Sequence, residues 1–264
     1  MGRSKEQRLG TSPTVGHGGD RMESLLEDRV GRWMASLGID VRPGPRAAVL
    51  ASRFHGRPDP CRPGVAPREI DAWERRYGCR LPVGLRHWLV QSNGFFLGGP
   101  VIHPLSAIGP MVPFARMPDM VVQPESWFEL GNPNVETVCL DLGYRWPGGG
   151  CAVFTSGDDQ ARSRPRVISM SFESWFIRLL EQGGGEYWFE PGFQDLGDPW
   201  EEHRKHAPRP PLPASLRPHA SRALGLMRRG ADDRVVADSL GISRGDVETL
   251  FRHLQHGLNG LVSS

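Results

Sequence analysis

The sequence predicts an α+β domain, with a mostly antiparallel sheet flanked by helices, followed by a small all-α helical domain. Three observations lead to this prediction. Residues 22–37 and 67–94 carry apolar side chains at helical spacing, whereas residues 95–170 break into short segments of aromatic and β-branched residues between turn residues. Residues 214–264 return to helical spacing. All eight tryptophans lie at or before Trp200, so the two regions differ in core composition.

The N-terminal part of the chain contains little regular pattern. Residues 1–20 are polar, basic and rich in glycine, which predicts a disordered tail. Residues 22–37 carry apolar residues at helical spacing, among them Trp33, so a helix is predicted there. Residues 42–67 are interrupted by prolines and glycines, and a short helix is predicted within them at 47–54.

Residues 67–94 contain two short helices with clear start and stop signals. Pro67 suits the first turn of a helix, because the N–H groups of that turn have no intrahelical partner. Gly78 ends the first helix by taking a left-handed conformation. Leu81-Pro82 start the second helix and Asn93-Gly94 stop it. The two apolar faces consist of Ile70, Trp73, Tyr77, Leu85, Trp88 and Leu89.

After Gly94 the pattern changes to short strands. Their composition and spacing predict an antiparallel meander with one covered face. The predicted strands are residues 95–97, 99–105, 126–130, 136–142, 151–155 and 166–170. Residues 111–123 contain two prolines and are predicted as a loop or an irregular helix. Ser171 then caps a helix that ends at Gly183.

The C-terminal third of the chain separates into a spacer and a helical domain. Residues 201–213 are charged and then proline-rich, which is typical of a semi-rigid linker. Beyond them, three apolar stripes are separated by Gly230 and by Gly241-Ile242, in the order of a helix-turn-helix. The predicted domains are a disordered tail (1–20), the α+β domain (21–200), the linker (201–213) and the helical domain (214–264).

Composition and cysteine usage set the broad class of the protein. The 264 residues include 32 Lys and Arg against 30 Asp and Glu, so charge alone demands neither nucleic acid nor an anionic membrane. The cysteines Cys61, Cys79, Cys139 and Cys151 lack metal-site spacing and are typical of free thiols in a reducing compartment. No apolar run approaches the roughly 20 residues that span a bilayer, and no secretory leader pattern is present. We therefore expect a cytoplasmic protein without contact to a membrane.

The middle of the chain resembles the SUKH superfamily. From Glu69 to Gly94 it reads E-I-x-x-x-E-x-x-Y-G-x-x-L-P-x-x-L-R-x-x-L-x-x-S-N-G. Four later segments follow in the same order as in that family: an I-x-P-L-x-x-I pair at 102–108, W-F-E-L-G at 127–131, C-L-D-L at 139–142 and S-F-E-S-W at 171–175. The resemblance covers approximately residues 67–183 and rests on the order of these motifs.

The SUKH superfamily contains fungal regulators of cell-wall synthesis and many bacterial immunity proteins against secreted or contact-delivered toxins. The resemblance implies a twisted, mostly antiparallel sheet with helices packed beside it. It also implies a protein-binding module with an immunity-like or regulatory role, not an enzyme, and it carries over no catalytic residue. The long N-terminal extension and the C-terminal helical domain depart from the pattern of a simple one-domain immunity protein.

Several residues are candidates for contact with a protein partner. Aromatic residues are over-represented in interface hot spots. Asp141 is predicted at a strand end, where its carboxylate suits a basic partner or a metal. The alternative is that the aromatic residues belong to the core and that Glu136, Asp141, Asp158 and Asp159 are solvated loop charges. The predicted partner-binding residues are Trp127, Asp141, Trp146 and Trp188.

No sequence pattern supports a reactive centre. The G-x-S-x-G pattern around Ser243 matches a nucleophile elbow, but the elbow needs a preceding strand and a helix is predicted there. Ser243 is therefore predicted to cap a helix. Nothing in the spacing of His103 and Cys79 or Cys151 supports a thiol–imidazole pair. We expect no catalytic residues, no metal and no cofactor.

The C-terminal run VVADSLGISRGDVETLFRHL, residues 235–254, resembles the helix-turn-helix of LuxR-type regulators and of sigma-factor region four. The resemblance implies DNA binding by the last helix in the major groove. Residues 214–264 contain seven arginines and five carboxylates, which is a weak footprint for nucleic acid. The open alternatives are a DNA-binding transcription regulator and a three-helix interaction or dimerisation module. The candidate DNA contacts are Arg244, Thr249, Arg252 and His256.

Overall fold

The computed structural model of the chain combines helices with a twisted antiparallel five-stranded sheet, which confirms the predicted α+β class. It describes residues 19–39, 59–97, 99–112, 116–117, 120–121, 123–134, 136–157, 164–207 and 212–254. The predicted helix at 47–54 and the predicted tail lie outside these residues, except that residues 19–20 already belong to the first helix.

The helices begin and end at the signals that the sequence provides. The side chain of Glu69 accepts the N–H of Ala66 at 2.8 Å, and Gly78 ends that helix with φ 66°. Ser171 caps the helix that follows the sheet. The described α-helices are α1 (Gly19–Ser36), α2 (Pro67–Tyr77), α3 (Val83–Gln91), α4 (Phe172–Glu181), α5 (Pro199–His206), α6 (Ala220–Arg228), α7 (Asp233–Leu240) and α8 (Arg244–Leu254). Short 3₁₀ helices lie at Tyr187–Phe189 and Arg217–His219.

The strands form one larger sheet and two small hairpins. The described strands are β1 (Phe95–Phe96), β2 (Pro100–Ile102), β3 (Gly109–Pro110), β4 (Arg116–Met117), β5 (Met120–Val121), β6 (Trp127–Gly131), β7 (Val138–Asp141), β8 (Ala152–Thr155) and β9 (Arg166–Ser169). The larger sheet has the order β3-β6-β7-β8-β9, and all of its neighbours are antiparallel. The hairpins pair β1 with β2 and β4 with β5.

The larger sheet is covered on both faces, whereas the sequence predicted one covered face. Every residue of β7 and β8 is buried, and alternate residues point to two different apolar clusters. Leu140 and Val153 belong to the main core with helices α1 to α4. Cys139 and Phe154 belong to a second cluster, against which Trp200 of α5 packs. Helix α5 therefore covers the face that was predicted to be open.

The main core is rich in aromatic residues that come from distant parts of the chain. Trp33 of α1 meets Phe176 of α4 edge-on at 5.1 Å between ring centroids. Trp88 of α3 meets the same ring at 4.7 Å. These three rings are fully buried, and edge-to-face contacts of this kind add to the free energy gained from burial. The predicted helical stripes of α1, α3 and α4 thus converge on one cluster.

Residues 111–123 and the predicted linker also differ from the sequence prediction. Residues 111–123, predicted as a loop or irregular helix, contain the two-residue strands β4 and β5. The predicted linker 201–213 is helical over 201–206, because Asp198 caps α5 through the N–H groups of Trp200 and Glu201. This helix packs on the sheet, so the first half of the predicted linker belongs to the α+β unit.

The C-terminal helices form their own apolar cluster of mainly aliphatic side chains. Met227 of α6, Val236 of α7 and Leu250 of α8 are fully buried in it. Asp232 caps α7, and Gly241 ends it with φ 65°. The hydroxyl of Ser243 accepts the N–H of Asp246, as predicted for the start of the last helix.

None of the helices within the described residues combines the length and apolar character needed to cross a membrane.

Candidate partner-binding surface

The connection between β7 and β8, called here the β7–β8 loop (residues 143–150), is tightly folded. The N–H of Trp146 donates to the carbonyl of Gly150 at 2.8 Å, and the N–H of Gly149 donates to the carbonyl of Trp146 at 2.9 Å. Gly148 and Gly149 have φ of 102° and 89°, a region that side chains rarely adopt. The glycine run therefore allows the loop to close on Trp146.

Two neighbouring segments fix the β7–β8 loop in place. The guanidinium of Arg145 donates to the carbonyl of Arg80, just before α3, at 2.7 Å. At the other side, a Cβ placed on Gly150 would lie 2.4 Å from the carbonyl oxygen of Met170. Such a close approach of two backbones requires glycine at position 150. The loop is thus held between the start of α3 and the end of β9.

Exposed apolar side chains lie at the two helix ends beside this loop. Val83 is 60% exposed at the first position of α3, and Met170 is 44% exposed just before the cap of α4. The two helix ends are joined, because the N–H of Gly84 donates to the carboxylate of Glu173 at 2.6 Å. Both side chains therefore lie next to the backbone segments that hold the β7–β8 loop.

Trp146 is a half-buried side chain with a fixed ring. Its ring lies 4.6 Å from that of His206 on α5, and Tyr144 stacks on the same histidine at 5.3 Å. The ring is therefore ordered without a partner and still has an accessible part. A pre-ordered aromatic anchor loses little conformational entropy on binding, as interface hot spots require. We call Trp146, Val83, Met170 and the β7–β8 loop the loop surface.

A buried carboxylate supports the loop surface from below. Asp141 ends β7, as predicted, and it is almost completely buried. Its oxygens accept hydrogen bonds from Ser126 Oγ at 2.9 Å, Trp127 Nε1 at 2.9 Å and the N–H of Gly143 at 2.8 Å. His203 Nδ1 of α5 lies 2.6 Å from the second oxygen. Asp141 therefore joins β6, the loop and α5 at one point.

The chemistry of this cluster is structural. Each oxygen of Asp141 already has two partners, so the carboxylate has little capacity left to act as a base or to bind a ligand. Trp127 and Asp141 lie directly opposite each other in the β6–β7 register, which explains why the indole reaches the carboxylate. Residues that satisfy a buried charge in this way fix a geometry and are costly to remove.

His203 is the residue that the sequence analysis missed. Residues 201–213 combine charges with prolines and are predicted as a linker, so His203 is not among the predicted site residues. The available signal was the start of a helix: Asp198 is a good N-cap, and Pro199 suits the first helical position. Nothing in the sequence indicated that this helix would return to cover the sheet.

The structure places the four predicted partner-binding residues in different environments. Trp127, Asp141 and Trp188 are buried, so they have no surface to offer a partner in this structure. Trp127 packs against Trp200 beneath α5, and Trp188 packs against Tyr187 in the main core. For the two tryptophans, the core alternative describes their position. For Asp141, the alternative of a solvated loop charge is wrong, because its carboxylate is buried and hydrogen-bonded. Trp146 alone of the four has an accessible part and lies on the loop surface.

The cysteine thiols are poor nucleophiles at neutral pH. Burial raises the pKa of Cys61 and of Cys79 from 9.0 to about 11, and that of Cys151 to about 12. Burial also raises the pKa of Cys139 well above its ordinary value and lowers the pKa of His103. The thiols therefore stay protonated near pH 7.

The remaining candidate charges have structural surroundings as well. Glu136 is buried and lies 3.5 Å from the guanidinium of Arg166, so it is not a solvated loop charge. Asp158 and Asp159 lie outside the described residues. Across the part of the chain that the structure describes, no group of three or more His, Cys, Asp or Glu side chains is arranged to hold a metal ion.

Three of the candidate DNA contacts, Arg244, Thr249 and Arg252, lie on α8, and each has a partner within the chain. Arg244 pairs with Asp233 of α7, and its Nε donates to that carboxylate at 2.6 Å. Arg252 pairs with Glu248 at 2.7 Å and with Glu125, before β6, at 3.0 Å. The hydroxyl of Thr249 donates to the carbonyl of Gly245 at 3.0 Å. His256 lies beyond the described part of the chain.

No protein-family model matches the chain, and no curated protein matches it significantly.

Proposed function

We propose that the protein is a non-enzymatic protein-binding module of the SUKH type, with an immunity-like or regulatory role, and that its partner contacts the loop surface. The observation that carries the proposal is the state of Trp146. Its ring is fixed against His206, remains partly accessible and lies on a loop that is hydrogen-bonded to its neighbours. This combination is typical of the central residue of an interface.

The surroundings of Trp146 support the same role. Val83 and Met170 add exposed apolar area at adjoining helix ends, and the exposed guanidinium of Arg145 adds a polar edge. The polar groups beneath the loop are engaged in holding it, and the thiols are protonated at neutral pH. The proposal includes a cytoplasmic location, which the four unpaired cysteines support.

The proposal is tested by finding the partner and then measuring its affinity. A photo-crosslinking residue at position 83 of the tagged full chain identifies the partner, and calorimetry with the purified partner measures binding. We expect Trp146→Ala and Val83→Asp each to weaken binding at least about tenfold, because hot-spot residues contribute about 2 kcal/mol or more.

The matched control is Val235→Asp. Val235 is 46% exposed and lies in the first turn of α7, as Val83 lies in the first turn of α3, so both changes place a carboxylate at a helix start. Binding by this variant stays at the wild-type level. Equal loss in Val83→Asp and Val235→Asp, or a catalytic turnover by the purified chain, refutes the proposal.

The second candidate is a transcription regulator that binds DNA through α8. The observation in its favour is the short turn between α7 and α8, which leaves Arg244, Thr249 and Arg252 on the exposed side of α8. A gel-shift assay at low salt with the full chain and genomic fragments tests it. A shift that is lost in Arg244→Ala/Arg252→Ala supports the regulator, and the absence of any shift removes it.

A further inference from the structure

The charges of the C-terminal helical unit are divided between its helices. Residues 212–230, which include α6, contain four arginines and no carboxylate. Residues 231–254, which form α7 and α8, contain three arginines and five carboxylates. The positive side of this unit is therefore α6, not the helix that a helix-turn-helix would place in a DNA groove.

Local contacts strengthen this division. On α7 and α8 the arginines Arg244 and Arg252 are neutralised by Asp233 and Glu248. The side chains of Arg222 on α6 and of Arg229, which directly follows that helix, are exposed, and none of the ion pairs within the described residues involves either of them. Their charges are therefore available to a partner.

Arg222 and Arg229 lie on one face of α6, because a separation of seven residues is close to two helical turns. Between them on that face are Gly225 and Leu226, both partly exposed. A Cβ placed on Gly225 would lie 3.6 Å from the guanidinium of Arg229, so the arginine lies along the helix over the glycine. The face thus presents two cations next to a small, partly exposed apolar area at Leu226.

We propose that this α6 face docks an acidic segment of a protein partner, whose carboxylates pair with Arg222 and Arg229 and whose apolar residue packs on Leu226. The inference rests on the proposed function in treating the chain as a protein-binding module, but it uses a second surface. A short acidic segment needs only the one positive face. A DNA duplex has one negative charge about every 1.7 Å and would also extend over α7 and α8, where five carboxylates outnumber three arginines and repel it.

The test uses the full chain and a fluorescein-labelled peptide that repeats Glu-Glu-Leu. Anisotropy at low salt is expected to show binding that weakens as salt rises, because the contacts are ionic. Arg222→Gln/Arg229→Gln is expected to weaken binding about tenfold or more, since it removes both cations. Glutamine forms helices about as well as arginine, so this variant should fold, which far-UV circular dichroism checks.

Two controls separate the outcomes. Arg244→Gln/Arg252→Gln removes the same number of charges from α8 and should leave peptide binding unchanged. Val83→Asp should also leave it unchanged, so that failure of the loop surface and failure of the α6 face are distinguishable. A labelled DNA duplex that binds more tightly than the peptide, and loses binding in Arg222→Gln/Arg229→Gln, overturns the proposal in favour of nucleic acid. Peptide binding that is absent, or equal in both double variants, overturns it outright.

Discussion

The α+β unit and the C-terminal helical unit use charged residues in opposite ways. In the α+β unit, Asp141 and Glu136 are buried between β-strands and their neighbours, where each fixes the position of other groups. In the helical unit, ion pairs such as Arg252–Glu248 lie at the surface. A buried charge determines a geometry, because separating it from its partners is costly, whereas a surface charge can exchange partners at little cost. Rigid recognition is therefore expected from the first unit and electrostatic recognition from the second.

The largest expected effect comes from removing Asp141. In Asp141→Ala, the indole N–H of Trp127 and the backbone N–H of Gly143 lose their acceptor, and His203 loses its partner. We expect the free energy of unfolding to fall by about 3–5 kcal/mol, as for other buried charge networks that lose a member. Urea denaturation followed by tryptophan fluorescence measures this change.

The matched variant in the helical unit is Asp233→Ala. Asp233 is nearly buried, but the Arg244 side chain opposite is 64% exposed, so that guanidinium returns to water when the pair is broken. The expected loss is below about 1 kcal/mol. Equal losses in the free energy of unfolding for Asp141→Ala and Asp233→Ala would contradict the proposed difference between the two units.

A second prediction asks whether the two units unfold separately. Leu250 is fully buried in the aliphatic cluster of the helical unit, and Leu250→Ala is expected to destabilise that unit by about 2–4 kcal/mol. Tryptophan fluorescence should be unaffected, because the last tryptophan is Trp200. Circular dichroism at the helical band should show an additional transition at lower denaturant concentration, where the helical unit unfolds. If fluorescence shifts together with circular dichroism, the two units unfold as one.

The elements with local signals could be predicted from the sequence. Pro67 and Gly78 define α2 through their own backbone preferences, and Ser171 defines the start of α4 through its side chain. Strand β3 could not be predicted, because Gly109–Pro110 becomes a strand only through its pairing with β6. The packing of α5 on the second face of the sheet depends on the same kind of distant contact, between His203 and Asp141.

The candidate site was predicted only in part, because the burial of its residues also depends on distant contacts. Aromatic residues are abundant both in cores and in interfaces, so residue type alone did not separate Trp146 from Trp127 and Trp188. What separates them is burial, which depends on α5 and on the main core. The glycines after Trp146 are a usable signal, because they predict a loop, and loops usually run over the protein surface.

Alkaline pH should destabilise the α+β unit alone. The pKa of Cys61 is about 11 in the folded protein, because its thiol is buried, against 9.0 when it is exposed. Below pH 9 the thiol is protonated in both the folded and the unfolded state, so its ionisation does not lower the free energy of unfolding. Between pH 9 and 11 only the unfolded chain loses the proton, so the free energy of unfolding falls by roughly 2–3 kcal/mol from this group.

Residues 212–254 contain no cysteine, tyrosine or lysine, so the helical unit has no side chain that titrates in this range. Denaturation at a series of pH values should show a decline by fluorescence and little change in the circular-dichroism transition of the helical unit. Cys61→Ala should reduce the slope of the fluorescence midpoint against pH. A slope unchanged by Cys61→Ala would assign the alkaline loss to other groups.

The smallest expected effect is at the contact between the two units. Arg252 of α8 pairs with Glu125 of the α+β unit, and both side chains are more than half exposed. Arg252→Ala should change the free energy of unfolding of either unit by less than about 0.5 kcal/mol, because an exposed ion pair gains little over its separate hydrated ions. Glu125→Ala is the matched change from the other side. A larger effect that is the same in both single variants, and no greater in the double variant, would mean that this pair holds the units together. In that case the two units would not unfold independently, and Leu250→Ala would also shift the tryptophan fluorescence transition.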